Sequence, residues 1–441
     1  MQNPARAAII LCTLVLPACT TAGDAGMHLA PEKQSVFYVA TTGLDSNPGT
    51  LQRPFRTIQH GLNVARAPGD RVEVRGGTYV EGVSFPADGS ASAPIVLTNY
   101  PNERPVISGK GGSVQELVRI YDRSHVAIIG FDIGNLDAKD PFKSGAIFVD
   151  GYGNDIQVAS NSVHDVAPPP GKYANGRAIQ VRGFFADRPL TNVVVRANVI
   201  ERCVAQDGNV LEVSGNASGV KVIDNVLRDN GGAALNITGG TKPPYYTRWK
   251  LHVRNVTVAG NHISATTGKY ALGLYVQASQ DVKVLDNTVT TSVYGIYVAS
   301  EYPGVNSQSI TISGNVVTDN AKAGVWIGTP YHPTTVMGAT VTGNIAERNG
   351  VGDGENLGIG RAANVTVTGN QFVAADTIEL LDLGKPYVNV TLDKNCYDDP
   401  GHQPAAAIYQ YEGKTYTGFD TYRAATHQDA RSTFGPPCGG G

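Results

Sequence analysis

The amino-acid sequence predicts an all-β chain wound into a single-domain parallel β-helix with three short strands per turn. A phrase of the form apolar–x–apolar–x–x–Asn recurs along it, ending at Asn161, Asn198, Asn225, Asn261, Asn287, Asn315, Asn344, Asn370 and Asn395. Successive asparagines are 37, 27, 36, 26, 28, 29, 26 and 25 residues apart, a period that belongs to repeat architectures. Between them Val, Ile and Thr alternate with polar residues, and no segment of helical period intervenes, so each strand has one face to bury.

One repeat, such as VKVIDN (220–225), reads as a strand followed by a sharp corner. The asparagine is expected to make that corner itself, because its short amide tolerates left-handed backbone and bonds locally. Stacked at one corner of successive coils, asparagines can also bond amide to amide. A second strand follows each corner. A third is read in GAIFV, RAIQV, NVLEV, AALNI, LGLYV, GIYVA, GVWIG, NLGIG and TIELL. The unequal spacings place loops of unequal length at the corners, usually on the working face of a solenoid.

FYVA (37–40) is the first strand. Pro54 to Ala65 places Phe55, Ile58, Leu62 and Ala65 at helical spacing, with Gly69 just beyond, which predicts a short helix capping the open first rung. RVEVRGGTY, IVLTNY and VISG form irregular rungs, and the regular stack runs from Glu116 to Asn395. The β-helix domain is bounded at 36–400, and the tail 401–441 reads as loop.

The 441 residues serve one elongated domain rather than several globular ones. The net charge of −3 argues against nucleic acid or an anionic membrane as partner, while a local basic groove still admits an acidic polysaccharide. Residues 1–19 read as a secretory signal, with an apolar run too short to span a bilayer. Leu16-Pro17-Ala18-Cys19 fits a lipoprotein signal with Cys19 as the lipidated residue, and 20–35 is then a tether. The expected location is outside the cytoplasm, as an outer-membrane lipoprotein, periplasmic or at the cell surface. Export allows Cys396 and Cys438 to pair and pin the C-terminus; Cys203 reads as a small buried residue rather than a nucleophile.

With the opening FYVATTGLDSNPGT…RPFRTIQHGLNVARAPGDRVEVRGGTYVEGVSF (37–85), the chain resembles the right-handed parallel β-helix proteins of the pectate-lyase-like superfamily. The N-terminal stretch is similar to family 9 polysaccharide lyases, and the resemblance spans roughly residues 36–400. It implies a right-handed coil. It leaves activity to the site residues, since this superfamily holds lyases, glycosidases, epimerases and non-enzymatic spikes. Family 9 lyases hold calcium in an aspartate cluster near a catalytic lysine. Here Asp150, Asp207, Asp224 and Asp229 are scattered, so no metal ligands are assigned and no cofactor is expected, with dependence on calcium left open.

Alternation on the third strands writes an outward row: Arg119, Phe148, Gln180, Glu212, Asn236, Tyr275, Tyr297, Trp326, Gly358, Glu379. Two residues further on runs a second: Tyr121, Asp150, Arg182, Ser214, Thr238, Gln277, Ala299, Gly328, Gly360. The insertions 164–176 and 238–250 wall the polar rungs and bring His164, Lys172 and Lys242; the insertion 299–308 brings Glu301 and Tyr302.

Lyase chemistry on a uronic acid needs a cation on the carboxylate and a base at C5; Arg182 or Arg119 serves the first and Lys242 or Lys172 the second. Hydrolysis needs two carboxyls, and Asp150 and Glu212 lie two rungs apart, about 10 Å along the axis. Arg119, Gln180, Asn236 and Glu301 are expected to contact substrate, and Tyr275, Tyr297 and Trp326 to stack sugar rings. Plainer roles compete: stacked aromatics also serve as cross-strand pairs, and either carboxylate can simply pair with Arg182. The expected partner is an acidic polysaccharide, and the chain is expected to be a monomer. The sequence points to an exported enzyme acting by β-elimination, with hydrolysis by paired carboxylates, C5-epimerisation and a non-catalytic glycan-binding lipoprotein as alternatives.

Overall fold

Each asparagine of the repeat is withdrawn from solvent, at 0 or 1% exposure, and a buried amide must be hydrogen-bonded throughout. The coil meets that demand by stacking. In a computed structural model, the backbone N–H and Nδ2 of Asn261 both donate to Asn287 Oδ1, at 3.0 and 2.9 Å. Nδ2 of Asn261 also donates to the Val222 carbonyl at 2.9 Å. The pattern runs unbroken from Asn161 to Asn395. The structure describes residues 34–438 apart from 112–113, 138–143, 168–175, 240–251, 269–270, 330–333, 351–353, 375–378, 385, 401–403 and 437, and apart from the side chains of 137, 206 and 207. Cys19 lies outside these residues.

The described strands lie in three sheets, each gathering every third strand of the coil. Within the stack the pairing is parallel. One sheet runs from Val36–Val39 to Tyr387–Asp393, and another from Gly77–Tyr79 to Thr433–Phe434. The third, the groove sheet, runs from Val83–Ser84 to Ile408–Tyr411 and closes on an antiparallel strand, Lys414–Thr417. Val, Ile and Leu from all three sheets fill the interior as one continuous core.

The corner departs from expectation in one respect. The left-handed residue is the one before each asparagine: Ser160, Ala197, Asp224, Gly260, Asp286, Gly314, Gly343, Gly369 and Lys394 have φ between 53° and 68°. The asparagine itself keeps an ordinary φ. The preceding residue turns the chain outward, which leaves the asparagine side chain free to point inward and bond along the stack. A second, shorter ladder also forms: Ser292 N–H donates to Asn320 Oδ1, Asn320 to Asn349 and Asn349 to Asn356.

Both ends are closed. The first helix, α1 (Ile58–Val64), is shorter than its apolar spacing suggests. Its free N–H groups at Ile58 and Gln59 donate to the Glu81 carboxylate at 3.0 and 3.1 Å, the usual remedy for a helix start. Gly61 lets it seat on the first rung, because a Cβ there would press on Val72 and Val39 at 2.9 and 3.0 Å.

The tail was expected to be loop, yet it folds. It contributes the last groove strands, a helix α2 (Phe419–Thr426) and the strand Thr433–Phe434. Tyr409 and Tyr422 stack at 4.6 Å beneath α2, covering the last rung with aromatic surface. The Cys396–Cys438 disulfide ties the tail to the final coil.

Replacing Asn287 with Ala removes the acceptor for both Asn261 donors. Each stranded buried donor costs about 1–3 kcal/mol, so urea denaturation should show a loss of roughly 2–5 kcal/mol. The exposed Thr366→Ala should stay within about 0.5 kcal/mol of the parent. Equal loss in both variants would show that the ladder adds nothing beyond strand pairing.

Candidate functional site

The groove sheet confirms the register of both rows over most of their length. Arg119, Phe148, Gln180, Glu212, Asn236, Tyr275, Tyr297, Trp326 and Gly358 stand side by side. The row ends on Asp382, not Glu379, since Gly358 pairs with Asp382. TIELLDL holds two apolar pairs one residue out of phase, and a one-residue slip exchanges the two faces of a strand. Core contact by Leu381 and Leu383 selects the other phase.

Simple alternation hides a third outward row. Leu117, Ala146, Ala178, Val210 and Ala234 are fully buried, and so are the residues that follow them. Two successive inward side chains bend the strand entry and turn the residue before them outward. Glu116 thereby meets Arg119 at 3.6 Å, Asn209 meets Glu212, and Tyr294 stacks on Tyr297 at 5.2 Å. Arg177 belongs to this row and faces the site, although strict period-2 reading assigns it inward.

At the centre stand two carboxyls two rungs apart. Glu212 Oε1 accepts from Gln180 Nε2 at 3.2 Å, and Oε2 from Asn209 Nδ2 at 2.9 Å. Burial opposes its ionisation, but Arg177, the Ser214 hydroxyl, Asn209 and Arg182 together outweigh that and hold its carboxyl below the usual range. Asp150 receives one hydrogen bond, from Arg182 Nη2 at 3.3 Å. Burial pushes Asp150 up to about 6; Arg182 pulls against this, while Glu116 and Glu212 add to it. The two groups are thus separated in acidity by their surroundings.

Arg182 is placed from two sides. Its guanidinium lies 4.3 Å over the Phe184 ring and bonds Asp150 at its edge. Arg119 lies 4.6 Å over Tyr121 next to it. Several buried polar atoms of this patch have no hydrogen-bond partner among the described residues: Asp150 Oδ1, Gln180 Oε1, Arg182 Nε and Asn236 Oδ1. Orphaned polar groups are costly in a finished interior, and their gathering on adjacent rungs marks a place prepared for a polar ligand.

The remaining candidates are distributed as follows. Tyr275 is buried at 6% exposure, stacked on Tyr297 at 5.2 Å and 12°, with its hydroxyl donating to Gln277 Oε1 at 3.1 Å. Burial raises its hydroxyl well above the ordinary value, with Glu301 and Tyr297 adding to it, so the 299–308 segment does reach the groove. Burial also raises the hydroxyl of Tyr302, against the pull of the Thr238 and Gln277 side chains beside it. Trp326 is half-buried and bonds the Gly328 carbonyl at 3.2 Å.

His164 lies instead on the sheet containing Ser162–Ala167, held by Asp132 and Asp165 at 2.5 and 2.7 Å. Lys172 and Lys242 lie outside the described residues. Cys203 is fully buried, and burial pushes its thiol up to about 12, which keeps it from acting as a nucleophile. Among the described residues, no three His, Cys, Asp or Glu side chains are grouped to hold a metal ion.

Comparison with known proteins places this geometry in context. Residues 37–194 match the family described as Pel9A-like, right handed beta helix region, and residues 251–341 match a right handed beta helix region. The uncharacterized protein YwoF of Bacillus subtilis is 29% identical over 426 residues, covering 91% of this chain and 88% of its own length. Pectate lyase PEL9 of Emericella nidulans is 37% identical over 76 residues, which span 17% of this chain and 18% of that enzyme. Among solved structures, XylC in complex with xylose superposes with a TM-score of 0.59 at 13% identity, over 86% of this chain and 88% of that one. The periplasmic alginate epimerase AlgG does so with a TM-score of 0.53 at 8% identity, over 83% and 77%. At such identities the likeness speaks for the fold alone. The chain is a right-handed parallel β-helix protein whose N-terminal part matches the Pel9A-like β-helix family.

Proposed function

We propose that the protein cleaves glycosidic bonds of an acid-bearing polysaccharide by general acid and base chemistry between Asp150 and Glu212. The observation that carries this is the pair itself. Two carboxyls share one face of the groove, and their surroundings hold one up near 6 and the other below its ordinary range.

In this reading Asp150 keeps its proton long enough to protonate the departing glycosidic oxygen, and Glu212 stays ionised to accept a proton from water. Their separation of about 10 Å along the axis leaves room for that water and favours inversion over retention, whose carboxyl spacings are roughly 6.5–9.5 Å and 5–5.5 Å. Gln180, Asn236 and the free Oδ1 of Asp150 offer acceptors to sugar hydroxyls, and Arg182 Nε offers a donor. Arg182 and Arg177 supply positive charge for an acid group on the polymer. The Cys396–Cys438 disulfide supports action in an oxidising compartment outside the cytoplasm.

β-Elimination is the second reading. It is favoured by the two guanidiniums, Arg177 and Arg182, that stand close enough to both carboxyls to shift their acidity. In that case Arg182 neutralises a uronate carboxylate, and the base expected from the sequence is Lys242.

A panel of acidic polysaccharides followed for reducing ends and for absorbance at about 232 nm separates these outcomes, because only elimination creates the absorbing double bond. The expected result is new reducing ends without absorbance. New ends with matching absorbance would replace hydrolysis with elimination, and neither signal on any polymer would sink the enzymatic reading.

Glu212→Gln and Asp150→Asn should each lower kcat/KM by about 10²–10⁴-fold while the melting temperature holds. The pH profile should be bell-shaped. Activity falls above pH 6 as Asp150 loses its proton, and falls below the ordinary glutamate range as Glu212 gains one. A profile still rising beyond pH 7 would exclude Asp150 as the acid.

A further inference from the structure

The balance of charge changes along the groove. Its N-terminal rungs carry Arg119, Arg177 and Arg182 beside the carboxyls of Glu116, Asp150 and Glu212. Five rungs beyond Glu212, about 24 Å along the axis, the same face carries Glu355, and the sixth rung carries Glu379 and Asp382. Glu355 and Glu379 are cross-strand partners, and Asp382 follows Gly358 in the neighbouring row.

Among the described residues no arginine or lysine pairs with any of the three. Gln410 Nε2 donates to Glu379 Oε1 at 2.5 Å. Glu355 is only 7% exposed, yet its carboxyl meets no hydrogen-bond donor among the described residues. It lies on the groove face, because a Cβ at Gly358 would collide with Glu355 Oε1 and with the Trp326 indole alike. Gly358 thus gives up its outer face to the Trp326 indole, which lies against a buried Glu355 carboxyl that no described residue hydrogen-bonds.

Like charges side by side on a sheet are destabilising, and a buried carboxylate needs a partner. Glu355 answers by holding its proton: burial beside Asp382 and Glu379 pushes its carboxyl up to about 8, and burial raises Asp382 too. A ligand bringing positive charge relieves all three. The adjoining indole suits a ring whose faces are apolar and whose substituents are polar, and cations are attracted to such a π-face.

We propose that the Trp326–Glu355–Glu379–Asp382 end of the groove is a subsite for a sugar residue carrying a free, protonated amine. This rests on the reading that the groove takes a glycan and narrows its class to a polymer bearing both acid and unacetylated amino groups.

Binding can be tested without cleavage. The sequence contains two tryptophans, so a Trp249→Phe protein leaves Trp326 as the sole indole reporter. The probes are a glucosamine hexamer and its fully N-acetylated counterpart at pH 6. The free-amine hexamer should shift Trp326 emission and bind at least tenfold more tightly than the acetylated one. Adding Glu355→Gln should remove most of that difference and leave the acetylated hexamer unchanged, which also reports an intact groove. Equal affinity of the two hexamers, or a preference that survives Glu355→Gln, would overturn the proposal. So would calcium chloride alone producing the Trp326 shift, because the trio would then be a metal site. The cleavage assay fails or succeeds independently, since it reads bond scission at Asp150 and Glu212.

Discussion

A line of hydrogen bonds with a single direction governs this molecule. In the asparagine ladder every amide oxygen accepts from the coil before it and every amide nitrogen donates onward or back to a carbonyl. Such chains polarise one another, and they need a final acceptor. Asp429 supplies it: fully buried, it accepts from Asn395 Nδ2 at 3.1 Å, from Ser432 Oγ at 2.6 Å, and from the Tyr397 and Tyr422 hydroxyls at 2.9 and 3.0 Å. The folded tail is therefore the terminus of the ladder, and it simultaneously covers the last apolar rung, where an open sheet edge would otherwise invite pairing with another chain.

Rigid stacking is also what makes a groove. Parallel rungs at fixed spacing hold Asp150, Gln180, Arg182, Glu212 and Asn236 in one neighbourhood although 86 residues separate the first from the last. Polar groups can be left unsatisfied there because the core beneath is continuous and its buried asparagines are hydrogen-bonded along the stack. The stability of the stack carries the strain of an unfinished surface, as is common where a scaffold supports a site.

The same regularity lets charge vary along the axis without disturbing the fold. Outward positions are free of packing duties, so the face passes from paired guanidinium and carboxyl groups, through stacked tyrosines, to carboxyls alone. The tyrosines occupy each other's faces, with Tyr275 on Tyr297 and Tyr297 on Tyr294. Trp326 breaks from the column and lies over glycine rungs, edge-on to Tyr294 at 6.4 Å.

The coil, its three sheets, the asparagine ladder and most of the outward register could be read from the residues alone. Period-2 patterning and a repeated corner are local properties, and stacking only multiplies them. Placement of the left-handed residue before Asn rather than on it, the outward turn of Arg177 and Glu355, and the phase of the strand at Asp382 were decided by the tertiary structure. Each depends on which of two neighbouring side chains the core accepts, and no single strand carries that information. The acidities of Asp150 and Glu212 were decided there too, since a carboxyl's proton affinity is set by what the neighbouring coils bring within reach, and those neighbours lie some 30 residues away in sequence.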